Sequence, residues 1–245
     1  MNFIYDESKA RILEILSSKT EIEEVESIPK NENEFTYENG IKSWVGALFI
    51  DIRDSTNYFK NNKEERVARV IRAFCSEIVT ILKQNDNYRQ IGIRGDCVYA
   101  IYSVTNKEDL EQIFSDAIFI NTFQKMFQKI LKQNNFPTFK IGIGLGCSND
   151  LIIKAGKKNS GINDYIWIGN AVVDASKLSG LGNKNGFKSI VLDSCFYSNI
   201  SDKKANEEHN YSYYISKNYS TTLGEYVYHC EMINIRFNDW IDENL

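Results

Sequence analysis

The clearest hydrophobic pattern in the chain lies over residues 65–83. Val67, Val70, Ile71, Phe74, Ile78 and Leu82 recur there at helical spacing. A second long helix, rich in Ile and Phe, is predicted over 108–132, with Pro137 marking the break beyond it. Short apolar runs between polar residues predict strands at 44–50, 139–147, 151–155, 165–168 and 189–192. Residues 88–94 and 97–103 read as the arms of a hairpin turning at Gly95-Asp96. A short helix is expected over 8–18, with Ile12, Leu13 and Leu16 as its apolar stripe, and another over 169–181. Residues 21–37 are acidic and loop-like, and 156–163 form a Lys/Gly/Asn/Ser loop. From Gly142 to Gly146 every second residue is glycine, which points to close backbone approach rather than side-chain packing.

Strands and helices therefore alternate, with at least one hairpin. The predicted class is α/β, an α+β sandwich whose mixed, mostly antiparallel sheet carries helices. Residues 1–43 are expected to be an N-terminal extension with a short helix, and 44–200 the main domain. Residues 201–245 are expected to be a β-rich C-terminal extension, because Tyr211 to Trp240 holds strand-like aromatic stretches.

Composition narrows the classes. A net charge of −4 and an acidic pI of about 5.4 argue against a broad nucleic-acid surface. The five cysteines, Cys75, Cys97, Cys147, Cys195 and Cys230, are odd in number and include no Cys-x-x-Cys pair. That favours neither a disulfide framework nor a zinc site. The first residues lack an apolar signal core, and no window approaches ~18 uninterrupted apolar residues. The expectation is a soluble, reduced, cytoplasmic protein with no membrane or nucleic-acid partner.

Two segments carry candidate chemistry. ALFIDIRDST places Asp51 at the end of an apolar strand, and RGDCVYAIYS places Asp96 at a hairpin turn. If the two strands are neighbours, the two carboxylates meet at one end of the sheet. Such a pair suits Mg²⁺ or Mn²⁺ carrying a triphosphate. Taken singly, Asp51 reads equally as a helix N-cap and Asp96 as a turn aspartate. Arg53, Ser55 and Thr56 open the following helix, whose free N–H groups can meet phosphates. Ser55 or Thr56 can cap it, and Asp54 reads as a capping residue too.

FIDIRDST, the GDCVYAIYS hairpin and IWIGNAVVDASKL, in that order, resemble the class III nucleotidyl cyclase catalytic domain, with its βαββαβ core. Within that family the chain is most similar to the stand-alone uridylate and cytidylate cyclases of Pycsar anti-phage systems. The resemblance implies two divalent ions, Mn²⁺ or Mg²⁺, held by Asp51, Asp96 and the backbone carbonyl of Ile52. It implies a UTP or CTP substrate and a homodimer with sites at its interface. The product would act on a separate cyclic-nucleotide-gated effector in defence signalling.

The base-reading Lys of adenylate cyclases falls at Gly92. Arg94 shares that strand face, and the bare Gly92 leaves room for its guanidinium to reach a pyrimidine carbonyl. The base-reading Asp of the purine enzymes falls at Ile166, so no carboxylate is expected there. Tyr165, one residue away, can bond a pyrimidine edge or simply pack. The transition-state Asn and Arg fall at Val173 and Lys177. Lys177 keeps the charge without the bidentate fork, and Asn170 or Asp174 is left to cover the Asn. Lys154, Lys157 and Lys158 either meet phosphates or form a solvated loop. His209 and His229 receive no role, since metal activation needs no histidine base. The rival readings are a purine cyclase and a catalytically silent cyclase-like module.

Overall fold

The computed structural model describes residues 4–158, 160–201 and 210–245. Its strands are β1 (Glu21–Glu24), β2 (Asn39–Ile52), β3 (Tyr88–Arg94), β4 (Cys97–Ser103), β5 (Ile141–Gly156), β6 (Asn163–Ile168), β7 (Ile190–Leu192), β8 (Ser216–Ser220) and β9 (Glu225–Cys230). Its α-helices are α1 (Tyr5–Ser17), α2 (Ser55–Lys60), α3 (Glu64–Leu82), α4 (Lys107–Gln133), α5 (Asn170–Ser179), α6 (Ser194–Ile200) and α7 (Ile235–Asn244).

One sheet runs in the order β3-β4-β2-β5-β7-β9-β8, with β1 added to β2 and β6 to β5. Among the described residues only the β1–β2 and β5–β7 pairings are parallel. The mixed, mostly antiparallel βαββαβ core is thus the predicted class. β2 and β5 form its spine, paired without a break from Gly40↔Ile153 to Ile52↔Ile141. The two strands predicted around Ser148–Asp150 are therefore one. Those polar residues stay in the ladder, opposite Val45, Trp44 and Ser43.

Alternate residues of β2 face two cores. Leu48, Ile50 and Ile52 join Val70, Phe74, Ile78 and Leu82 of α3 and the apolar face of α4. Val45, Ala47 and Phe49 face the other side, with Ala171 and Ala175 of α5. A strand covered on both faces reads as a continuous apolar run, as 47–50 does. The alternating glycines are explained by α5. A Cβ on Gly142, Gly144 or Gly146 would lie 2.0–2.4 Å from the carbonyls of Ser179, Ala175 and Ala171. Only glycine lets the helix backbone rest on the strand.

Three local expectations change. Residues 21–37 are not all loop, because β1 pairs in parallel with the start of β2. The C-terminal segment holds the β8–β9 hairpin but ends in α7, where the stretch up to Trp240 reads as strand-like. There Phe237 stacks on Phe119 of α4, ring centroids 4.9 Å apart. α1 forms, but its residues Ile12, Leu13 and Leu16 are exposed rather than packed. Among the described residues no helix is long and apolar enough to cross a membrane.

Candidate active site

Asp51, partly exposed, is the next-to-last residue of β2 and pairs with Cys97 on β4 and Gly142 on β5. Asp96 occupies the β3–β4 turn, one residue before Cys97, with Gly95 at φ 65 making the turn possible. The hairpin therefore delivers the second carboxylate to the end of the strand bearing the first. Burial raises the Asp51 carboxyl above the usual range. Arg53 pulls it back down, and the negative charge of Asp96 pushes it up again. Cys97, flanked by both carboxylates, is pushed up to about 12, mainly by burial and then by those charges.

Arg53 does not point to solvent. Its guanidinium lies on the Asp51 carboxylate, and Nη1 donates to the Gly180 carbonyl at 2.6 Å. Its fork bridges β2 to the end of α5, and its backbone N–H donates to the Lys140 carbonyl at 2.8 Å. Lys184 adds a second positive charge that lowers Asp51. Sequence reasoning passed over Lys184, because only the packing of α5 brings the loop after it to Asp51.

Asp54 stands at the N-cap position of α2 in the left-handed region, φ 55. It makes no side-chain cap, contrary to the capping expectation; its Oδ1 accepts from Asn57 Nδ2 at 2.8 Å. Ser55 and Thr56 are the first two helical residues rather than caps.

The β3–β4 register places Gly92 opposite Tyr99 and Arg94 opposite Cys97. The space over Gly92 is not open for a guanidinium. A Cβ there would meet the Tyr99 ring end at 2.4 Å. Tyr99 in turn stacks on Phe49, with centroids 5.0 Å apart and planes at 12°. Burial raises the Tyr99 hydroxyl, while Arg94 lowers it and Asp164 raises it. Arg94 itself is exposed. Tyr99 could have been found by hairpin arithmetic, since a turn at Gly95-Asp96 pairs 94 with 97 and 92 with 99.

β6 brings a carboxylate after all. Gln90 Nε2 donates to Asp164 Oδ1 at 3.2 Å, and Trp167 Nε1 donates to Gln90 Oε1 at 2.8 Å. Asp164 thus lies over β3 near Tyr99, although the aligned position, Ile166, is apolar. Tyr165 faces the core and packs on Phe35, centroids 4.7 Å apart. Lys158 pairs with Glu38 at 3.0 Å on the exposed surface, and Lys154 pairs across the ladder with Tyr165.

α5 lacks a cap of its own, since Gly169 precedes it. β5 supplies one. Ser148 Oγ accepts from the N–H groups of Asn170 and Ala171 at 3.1 and 2.7 Å, and donates to Asp150. Val173 and Lys177 lie exposed on this helix. Asp174 is raised by burial and lowered by Lys177 beside it. His229 is buried, with Nδ1 accepting from the Lys188 N–H at 3.2 Å. His209 lies outside the described residues.

Two carboxylates at a sheet end, beneath the end of a helix cradled by alternate glycines, are joined by a matching family. Residues 38–190 match the adenylate and guanylate cyclase catalytic domain. The chain belongs to this family. It is 41% identical over 245 residues to a uridylate cyclase of Treponema porcinum, spanning 100% of this chain and 83% of that protein. It is 32% identical over 254 residues to a uridylate cyclase of Gulbenkiania mobilis, covering 99% and 97%. Among solved structures, the guanylyl cyclase Cya2 shares the fold at a TM-score of 0.63 and 11% identity, over 81% of this chain and 97% of that one. The adenylyl cyclase CyaB from P. aeruginosa does so at 0.62 and 18%, over 78% and 95%.

Proposed function

We propose that the chain is a pyrimidine nucleotide cyclase. It converts UTP or CTP to the 3′,5′-cyclic monophosphate and releases diphosphate. The observation that carries this reading is the hairpin turn that sets Asp96 beside Asp51 in a chain 41% identical over its whole length to a uridylate cyclase.

The donor set fits a hard divalent cation, Mn²⁺ or Mg²⁺. Two carboxylates crowd together, so that Asp96 raises Asp51. Among the described residues no third His, Cys, Asp or Glu completes a metal-holding group. Water, substrate phosphates and a backbone carbonyl such as that of Ile52 would fill the remaining positions, the habit of Mg²⁺. Bound there, such ions neutralise the triphosphate and acidify the ribose hydroxyl.

The ribose 3′-oxygen forms its bond to the α-phosphorus, the bond to diphosphate breaks, and the hydroxyl proton passes to solvent. Asp51 and Asp96 orient this end of the substrate. Arg53 fixes the Asp51 carboxylate and the end of α5. Ser55 and Thr56, the first residues of α2, are assigned to the triphosphate. Lys177 offers positive charge to the departing diphosphate. In a two-fold dimer it would do so across the interface, from the subunit that does not supply the carboxylates.

Base selection is assigned to the exposed Arg94, with Tyr99 filling the space above Gly92 and limiting room for a two-ring base. Tyr165 keeps a packing role. The product's place is that of a second messenger read by a separate effector in anti-phage defence, inside the cell.

Arg94→Ala tests the base assignment. A charged hydrogen bond is worth about 1.5–3 kcal/mol, so kcat/KM for the preferred pyrimidine triphosphate should fall roughly 10- to 150-fold, with metal dependence unchanged. Equal losses for UTP, CTP and ATP would reject base reading at Arg94.

A further inference from the structure

Away from the carboxylate pair, two thiols meet in a notch of the sheet. β7 ends at Leu192, while its neighbours β5 and β9 continue past it. Asp193 bridges the gap. Its Oδ2 accepts from the Cys147 N–H at 2.8 Å, and its Oδ1 caps α6 through the Phe196 N–H at 2.6 Å. This anchoring brings Cys195, in the first turn of α6, onto Cys147 of β5. The sulfurs lie 3.2 Å apart, although the residues are 48 apart in sequence.

Both cysteines are free. They line a pocket of about 340 Å³ together with Trp44, Asn170, Asp174 and Tyr226. Cys147 is buried and Cys195 is half-buried. None of the other three cysteines lines this pocket.

We propose that Cys147 and Cys195 form a reversible oxidation site that closes to a disulfide in the presence of a hydroperoxide. The sulfurs need only move from 3.2 Å to the bonded distance of about 2.05 Å. Cys195, the more accessible, reacts first as its thiolate. Its sulfur attacks one peroxide oxygen, the O–O bond breaks, and the other oxygen leaves as water after taking a proton. Cys195 is then a sulfenic acid. The Cys147 sulfur attacks it, the S–O bond breaks, and a second water leaves with the Cys147 proton. Two thiols lose two electrons, and one hydrogen peroxide becomes two waters. The close sulfur–sulfur contact supports this order, since it lowers Cys195 and raises Cys147, which burial raises further. The cross-link would tie α6 to β5 on the wall facing Asn170 and Asp174 of α5.

The test is peptide mapping of the full chain. Protein treated with hydrogen peroxide is alkylated, digested without reductant and analysed by mass spectrometry. The expected result is one dominant cross-linked species joining Cys147 to Cys195, removed by dithiothreitol, with Cys75, Cys97 and Cys230 alkylated. In Cys147→Ser the expected product is a dimedone-reactive sulfenic acid on Cys195. In Cys195→Ser, Cys147 should stay reduced. Wild-type protein in which Cys195 over-oxidises while Cys147 remains a free thiol would overturn the proposal. Cross-links scattered among the other cysteines would do the same.

Discussion

The guanidinium of Arg53 rests on the carboxylate of Asp51, two residues earlier in the chain, and reaches past it to the Gly180 carbonyl. One side chain thereby couples the strand end that bears Asp51 to the end of the helix that bears Lys177. Arg53 is well covered, at 13% side-chain exposure against 30% for Asp51.

This coupling is measurable. Arg53→Ala should cost about 1.5–3 kcal/mol of folding stability, because it removes charge-assisted bonds and leaves Asp51 facing Asp96. Asp51→Asn with Arg53→Ala should be less destabilised than the sum of the single changes, with a coupling of about 0.5–3 kcal/mol by urea unfolding. Strict additivity would show that the two residues do not support each other.

Gly144→Ala should displace α5. The added methyl carbon would sit 2.0 Å from the Ala175 carbonyl and 2.3 Å from the Ser179 nitrogen, both rigid backbone atoms. Overpacking of this kind typically costs about 1–3 kcal/mol, and the lower unfolding midpoint should come with lost cyclase turnover. A variant with unchanged stability and turnover would mean that the helix does not need its seat on β5.

Asp116 predicts a pH dependence of stability. It is buried on α4, accepting from Asn85 Nδ2 at 3.1 Å and Tyr102 Oη at 3.4 Å. Burial pushes its carboxyl up to about 7 from an ordinary 3.8, against the smaller lowering by those two donors. The folded state therefore holds a proton that the unfolded state has released. Stability from this group is complete below about pH 4 and is lost as the pH rises through 7. Asp116→Asn keeps an acceptor but has no charge to bury. At pH 8 it should be more stable than the parent by roughly 2–4 kcal/mol, the gap narrowing toward pH 4. Urea melts across that range check it, and a pH-independent difference would contradict the assignment.

Much of the site's framework was legible in the sequence, for definite reasons. Asp51 ends an apolar run and Asp96 sits at a Gly-Asp turn, so pattern alone puts both at element ends. The Gly142, Gly144, Gly146 alternation announced a close backbone contact, and α5 fills it. The continuity of β5 was hidden because Ser148, Asn149 and Asp150 look like a turn. Their polarity serves α5 instead, through Ser148 and Asp150. Asp164 was missed because its place over β3 depends on how β6 folds across the sheet to Gln90, a tertiary fact with no local signal. Phe237 and Trp240 are strand-favouring residues, which makes α7 look like strand in the sequence, whereas the packing of Phe237 on Phe119 of α4 seats the segment as a helix.

The central claim is the reaction itself. Purified protein should be incubated with UTP, CTP, ATP and GTP together, with Mn²⁺ or Mg²⁺, and the products identified by mass spectrometry beside an Asp51→Ala, Asp96→Ala control. The account predicts cyclic UMP or cyclic CMP with diphosphate from the wild type, and neither from the control. Cyclic AMP or cyclic GMP as the main product, no cyclic nucleotide at all, or undiminished product from the control would contradict it.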